Sequence, residues 1–432
     1  SLARDDAGWN FSEKGGSAAV KRGRAAAGAF RKFRQFRLPR TRALYPWAAA
    51  RPHWKRRTRS GAPTARSARA RACRRSTKSA RVATADGTPG ESRGCGASRH
   101  RCTRARSMNA RSQSDNVGIS AYASYIRTGG DNVSRVGNED DGYDNMTAGI
   151  NINYAATSEH TLIANLRTVQ YENDYDGTDF VTTGLPADSD NVTDGSQISA
   201  KLRWEFAPEN TGYRSALSAH YRKDDNDNTE SGADTGGTTG ERIELNWTGF
   251  YTMDNWDFAG GVEYLQRLFT QRGPIAFGDP NQKQHDNTYS VFAETNGQLT
   301  ESLTATLSAR FDNNSEFDNA VSYRGGLTWQ LNDYYAVFTS YGKAVKTPTF
   351  TERFGYFPAS FIGNSNLEPE TSEEWEIGVK ANWKSLSAQI SAYTTDLEDE
   401  INGFVLVSDL GAYSADNIDG ESSREGIDLE LN

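Results

Sequence analysis

The densest set of chemically capable side chains in this sequence is acidic. Between Glu172 and Gly195 stand Asp174, Asp176, Asp179, Asp188, Asp190 and Asp194, and between Lys223 and Gly240 stand Asp224, Asp225, Asp227 and Asp234. Hard carboxylate oxygens at close spacing suit calcium, and Asp174, Asp176 and Asp179, around the stretch Tyr175-Asp176-Gly177-Thr178-Asp179, are the candidate ligands. The plain alternative is that acidic connections keep a rim soluble and flexible. Other chemistry is thin. His160, His220 and His285 are far apart in sequence, and Cys73, Cys95 and Cys102 lack the paired spacing of a zinc site. No nucleophile elbow, phosphate loop or paired-carboxylate site stands out, so an enzyme is not expected.

The acidic runs fall between segments with a different character. From Val117 onward, strands of about ten residues alternate with two kinds of connection. Tight turns are expected near Thr157, Asn210, Asn255, Thr300, Asn332 and Lys384. Long polar loops are expected at Arg127–Gly142, Glu172–Gly195, Lys223–Gly240, Gln271–Asp286 and Val345–Ser372. Short turns on one rim and long loops on the other are the habit of a barrel that spans an outer membrane.

Within the strands the alternation has period two, which places successive side chains on opposite faces. Leu303, Ala305, Leu307, Ala309 and Phe311 share one face, against Thr304, Thr306, Ser308, Arg310 and Asp312. Trp375, Ile377, Val379, Ala381 and Trp383 oppose Glu374, Glu376, Lys380 and Asn382. A soluble antiparallel sheet gives the same alternation. The apolar faces here are rich in Ala and Gly, thin for a packed core but adequate against lipid. Aromatics such as Tyr154, Trp204, Tyr213, Tyr251, Trp329 and Trp383 gather beside the short turns, as at a membrane interface. No apolar run approaches the roughly 18 residues of a spanning helix. The expected fold is therefore all-β, an antiparallel transmembrane barrel over 114–432 with about fourteen strands and a polar lumen.

The net charge of -7 hides a division. Residues 1–113 carry 24 Arg and 5 Lys against 3 Asp and 2 Glu, a balance of +24, whereas the rest of the chain stands at -31. The basic segment shows no sustained period of two or 3.6, and its apolar content is mostly alanine, too little to offset ordering entropy. It reads as a frame-shifted translation of a GC-rich gene, ahead of a disordered tail or a phosphate-neutralising arm. No nucleic-acid partner is expected. Ser1-Leu2-Ala3-Arg4-Asp5 has no apolar leader and reads as a fragment edge.

The sharpest local signal is Gly363-Asn364-Ser365-Asn366-Leu367-Glu368-Pro369-Glu370-Thr371-Ser372-Glu373-Glu374-Trp375-Glu376-Ile377-Gly378-Val379. It resembles the Asn-x-x-Leu-x-Pro-Glu-x-Ser-x-x-x-Glu-x-Gly segment of TonB-dependent outer-membrane receptors. Ser340–Phe350, Ser308–Asn313, Ser391–Ile401 and Arg424–Leu431 are similar to further strand motifs of that family, in order. The nearest branch is the cobalamin transporters. The resemblance implies a barrel of about 22 strands enclosing an N-terminal plug, in the outer membrane of a Gram-negative bacterium. It implies ligand, cobalamin or a ferric siderophore, at extracellular loops 172–195, 223–240, 271–286 and 345–372. It also implies an energising TonB-type partner, lipid around the barrel, and calcium held by early-loop aspartates, where Asp174, Asp176 and Asp179 correspond. The plug and the partner-binding box are not found, and the chain ends within a strand at Asn432, so about two-thirds of a barrel is expected. The rival reading is a passive porin-like channel.

Overall fold

The computed structural model describes residues 90–95, 102–132, 134, 137, 140–179, 183–276 and 278–432. Residues 1–89, including Cys73, lie outside the described residues, so the reading of the basic segment up to there is not addressed.

The chain forms a single long antiparallel ladder. Its strands are β1 (Gly90–Cys95), β2 (Cys102–Gln113), β3 (Val117–Thr128), β4 (Tyr143–Ala155) and β5 (His160–Asp174). After a small hairpin, β6 (Gly177–Thr178) with β7 (Pro186–Ala187), come β8 (Asn191–Phe206), β9 (Tyr213–Glu230), β10 (Ala233–Met253), β11 (Trp256–Arg272), β12 (Gln282–Thr300) and β13 (Leu303–Asn314). Then follow β14 (Ala320–Gln330), β15 (Tyr335–Lys346), the helix α1 (Phe350–Phe354), β16 (Glu370–Trp383) and β17 (Leu386–Glu398). A second small hairpin, β18 (Ile401–Val407) with β19 (Ala412–Asn417), precedes β20 (Glu421–Leu431). The main sheet holds 16 strands in chain order, β6–β7 and β18–β19 standing outside it. Fourteen of the sixteen lie between Val117 and Leu431, the number the alternation predicts. Among the described residues no ladder joins β1 to β20, so the sheet is open.

Burial is inverted relative to a soluble sheet, and this separates the two readings of the alternation. On β12, Asp286, Ser290 and Glu294 are buried at 2%, 3% and 8% exposure, while Tyr289 and Val291 are 59% and 58% exposed. Leu202, Leu307, Trp375 and Ile377 are likewise exposed, and Glu376, Ser391 and Thr395 buried. Apolar side chains facing outward in continuous bands suit hydrocarbon, and the closed polar side is a lumen wall. The small apolar core, Phe361, Leu367 and Ala415 with Tyr356 and Ile401 against it, sits away from the sheet, in the loops.

The turn rim follows expectation. The six anticipated tight turns occupy connections at 156–159, 207–212, 254–255, 301–302, 331–334 and 384–385. Beside one of them Trp256 lies flat across Gly297, where a Cβ would stand 2.1 Å from the indole. Two expectations need correction. Residues 223–240 are not an irregular loop: β9 and β10 run on as a tall hairpin to Glu230 and Ala233, closed by Ser231 and Gly232, both at positive φ. Two positive-φ residues make the turn whose twist matches the strands, and Asp225 stays in the ladder by accepting from Thr239. The sheet also starts before residue 114. β2 pairs with β3 from Thr103↔Thr128 to Gln113↔Gly118, although only Met108 and Ala110 continue the apolar band. Backbone pairing carries that strand, which is why periodicity misses it.

Candidate functional site: the outer mouth

The long connections gather at the rim opposite the tight turns, and one of them bends over the lumen. After β15, Pro348 ends strand pairing and Thr349 caps α1. The cap is reciprocal: Glu352 N–H donates to the Thr349 hydroxyl at 3.2 Å, and Thr349 N–H donates to the Glu352 carboxylate at 2.8 Å. Gly355, at φ 78°, turns the chain out of the helix.

Each face of this segment has a defined seat. Phe350 stacks on Phe269 of β11, with ring centroids 5.9 Å apart, and the Arg267 guanidinium lies 5.7 Å above it. Arg267 donates two hydrogen bonds to Asp286, at 2.9 and 2.5 Å. A fully buried carboxylate is tolerable only with such a forked partner. Arg353 is buried between Phe317 and Phe354, 4.8 and 4.7 Å from the ring centroids, and donates to Glu316 at 3.2 Å. Its Nε has no partner among the described residues. Gln271 and Gln282, lining the inner wall, donate to the carbonyls of Tyr356 and Gly355.

A second layer builds on the first. Ile362 N–H donates to the Tyr413 carbonyl, and Tyr413 N–H to the Ser360 carbonyl, so the β18–β19 hairpin is stitched to the loop. Asn417 holds the backbone of Glu368 from both sides. Arg424 pairs with Glu400 beneath the hairpin. Burial raises the Tyr356 hydroxyl above its ordinary value, and nearby Tyr175 adds to that. The segments 345–372 and 401–417 thus form a two-layer lid on the inner wall.

The acidic side is arranged differently from the calcium expectation. Asp174 sits at the loop end of β5, where burial, then the charge of Glu172, pushes its carboxyl up to about 6. Asp176 accepts from the Ser134 N–H at 2.6 Å and the Ser189 N–H at 3.3 Å, tying two connections together. Asp179 accepts from the Thr183 hydroxyl at 3.1 Å. Among the described residues no three His, Cys, Asp or Glu side chains are grouped to hold a metal. As arranged, these three carboxylates do not make a preformed calcium site. Asn191 nevertheless buries an Oδ1 without a donor close to them in the fold.

The remaining candidates are dispersed. His160 stacks on Trp204 and Phe206 at the turn rim, and His220 meets Ser199 at 3.0 Å. On the inner wall Arg310 binds Glu263 and Asp312, each at 2.8 Å, and Glu376 faces Arg324 at 3.7 Å. Sequence reading missed Arg353, Arg267 and Asp286. The one legible signal was the Thr349-x-x-Glu352 capping box, a helix start inside an expected loop.

Residues 103–432 match the family model described as TonB dependent receptor-like, beta-barrel. That span exceeds half of the sequence, and the chain belongs to the TonB-dependent receptor family. A 172-residue stretch is 33% identical to the vitamin B12 transporter BtuB of Vibrio vulnificus, covering 40% of this chain and 27% of that protein. The fold is similar to the siderophore receptor PirA of Acinetobacter baumannii, with a TM-score of 0.62 at 19% identity, covering 79% of this chain and 59% of that one. It is also similar to the ferric enterobactin receptor PfeA of Pseudomonas aeruginosa, with a TM-score of 0.64 at 15% identity and the same coverage. The chain thus spans less than two-thirds of the length of the relatives it matches.

Proposed function

We propose that this chain is the barrel wall and outer mouth of an outer-membrane receptor for energy-coupled uptake of a scarce, large nutrient, a cobalamin or a ferric siderophore. The observation that carries the reading is the inward lid. A channel for small solutes gains nothing from an aromatic, arginine-anchored layer folded over its lumen, whereas a receptor needs walls that enclose a bulky ligand. Family membership and the relatives named for vitamin B12 and for siderophores support the same class. In this reading a TonB-type partner supplies the energy, and the barrel sits in the outer membrane of a Gram-negative bacterium.

The experiment is ligand binding by the folded chain in detergent, followed by tryptophan fluorescence with cyanocobalamin and with a ferric catecholate. One of the two is expected to bind. Arg353→Ala should weaken it about tenfold, the loss of a stacked, buried cation at the mouth. If neither binds and vesicles carrying the protein become permeable to small sugars, the passive-channel reading takes its place.

A further inference from the structure

The outward face carries one arrangement four times. On β3, Tyr125 and Arg127 point outward, and Asp144 of β4 stands directly across from Arg127. The Tyr125 hydroxyl donates to Asp144 at 2.6 Å, with Arg127 at 3.5 Å. On β9 and β10, Tyr221 donates to Glu241 at 3.1 Å, and Glu241 stands across from Lys223. On β15 and β16, Tyr341 donates to Glu373, which stands across from Lys343 at 3.2 Å. On β11 and β12 the same positions are uncharged: Tyr264 and Gln266 both donate to Asn287, at 2.9 and 3.1 Å, and Asn287 stands across from Gln266. Each is a tyrosine, a donor two residues beyond it, and an acceptor opposite that donor on the following strand.

The four clamps share a level. Each tyrosine lies six or eight residues beyond the first residue of its strand, Val117, Tyr213, Trp256 or Tyr335, on the side away from the short turns. A ring with its body in hydrocarbon and its hydroxyl in a polar cluster marks a membrane–water boundary. Below the clamps the outward face is apolar, with Ala123, Leu217, Val262 and Val337 on the four strands.

The β3 clamp departs from the others in charge. Arg104 and Arg106 of β2 stand across from Arg127 and Tyr125 on the same face, and both are exposed. Three guanidinium groups therefore meet one carboxylate at the boundary. By contrast Lys223 faces Glu241 and also pairs with Asp225 at 2.8 Å, and Lys343 is matched by Glu373. Guanidinium groups fork onto phosphate oxygens, and the only molecules at this level outside the barrel are lipid headgroups.

The geometry points to a headgroup site: Arg104, Arg106 and Arg127, held at the outer-leaflet boundary by the Tyr125–Asp144 clamp, bind a phosphate-bearing lipid of the outer leaflet. The inference rests on the outer-membrane reading but not on the nutrient, so it can fail while ligand uptake stands. The test reconstitutes the full chain in phosphatidylcholine vesicles containing lipid A, either with both phosphates or dephosphorylated. Mass spectrometry then counts the lipid A retained by each protein after mild extraction. Preference for the phosphorylated form is expected in the native chain, falling about fivefold for each arginine changed to Gln. Asp144→Asn, which removes the competing carboxylate, should raise it, and Gln266→Ala in the uncharged clamp should leave it unchanged. Arg127, with its side chain 60% exposed, is the single change least able to disturb folding, so R127Q decides the matter if the triple variant does not insert. No phosphate preference in the native chain, or the same preference in R127Q, overturns the site. So does an equal loss with dephosphorylated lipid.

Discussion

Asp174 is the residue in which sequence and structure disagree most usefully. Its spacing with Asp176 and Asp179 reads as a ligand set, yet the fold sends each carboxylate to a different task. What remains is a carboxyl that burial, then Glu172, raises to about 6, against an ordinary value near 3.8. A folded-state value above the unfolded one means that the folded protein binds the proton more tightly. The ionised group therefore costs stability above pH 6, and the cost is relieved as the pH falls from 6 towards 3.8. Hydrogen exchange across 172–179 and 183–195 is expected to be slower at pH 5 than at pH 8, and Asp174→Asn should remove the difference by protecting the segment at pH 8. A pH effect that persists in the Asn variant would mean that another group is responsible. A divalent cation would relieve the same buried charge by another route. Repeating the measurement at pH 8 with calcium separates the two: protection in the native chain but not in Asp174→Asn assigns the cation to this carboxylate, and no protection removes calcium from it.

At the scale of elements, what was legible was whatever repeats. Leu303 to Phe311 and Trp375 to Trp383 announce their faces because each alternate residue answers to lipid, and the tight turns announce themselves because few residues fit them. The elements that escaped are those held by something other than period. Residues 223–240 look like a loop because Asp, Asn, Gly and Thr are poor strand formers. They pair because β9 and β10 are already in register below and Arg272 bridges Asp227 and Asp234 beside them. The helix α1 is only five residues long and owes its place to Phe269, Arg267 and Glu316, all distant in sequence. The close approach of Trp256 to Gly297 was equally hidden, since a glycine in a strand carries no sign of what covers it. Gly297→Val should lift the indole from the wall and cost about 1–3 kcal/mol. The check is the urea midpoint of unfolding from vesicles; an unchanged midpoint would show that the indole contributes nothing by lying there.

At the scale of the whole molecule, the two aromatic levels determine which bilayer the protein fits. From Tyr213 to Tyr221, and from Trp256 to Tyr264, eight residues separate the turn-rim aromatics from the clamp tyrosines. At roughly 3.3 Å per residue this is about 26 Å along a strand, and a strand tilt of about 40° reduces it to about 20 Å across the membrane. That is thinner than the roughly 30 Å of an average hydrocarbon core. A mismatch costs fractions of a kcal/mol for each ångström, and the bilayer must thin or the flanking side chains must stretch. Refolding from urea should accordingly be faster and more complete in vesicles of twelve-carbon chains than in vesicles of eighteen-carbon chains. Moving the upper boundary should shift that preference. Phe substitution of all four clamp tyrosines, Tyr125, Tyr221, Tyr264 and Tyr341, removes the hydroxyls that pin the boundary and should narrow the gap between the two lipids. Followed by tryptophan fluorescence, equal folding in both lipids by the native chain would mean that the tyrosine level is not the membrane boundary. A gap untouched by the four substitutions would leave the boundary to the charged partners alone.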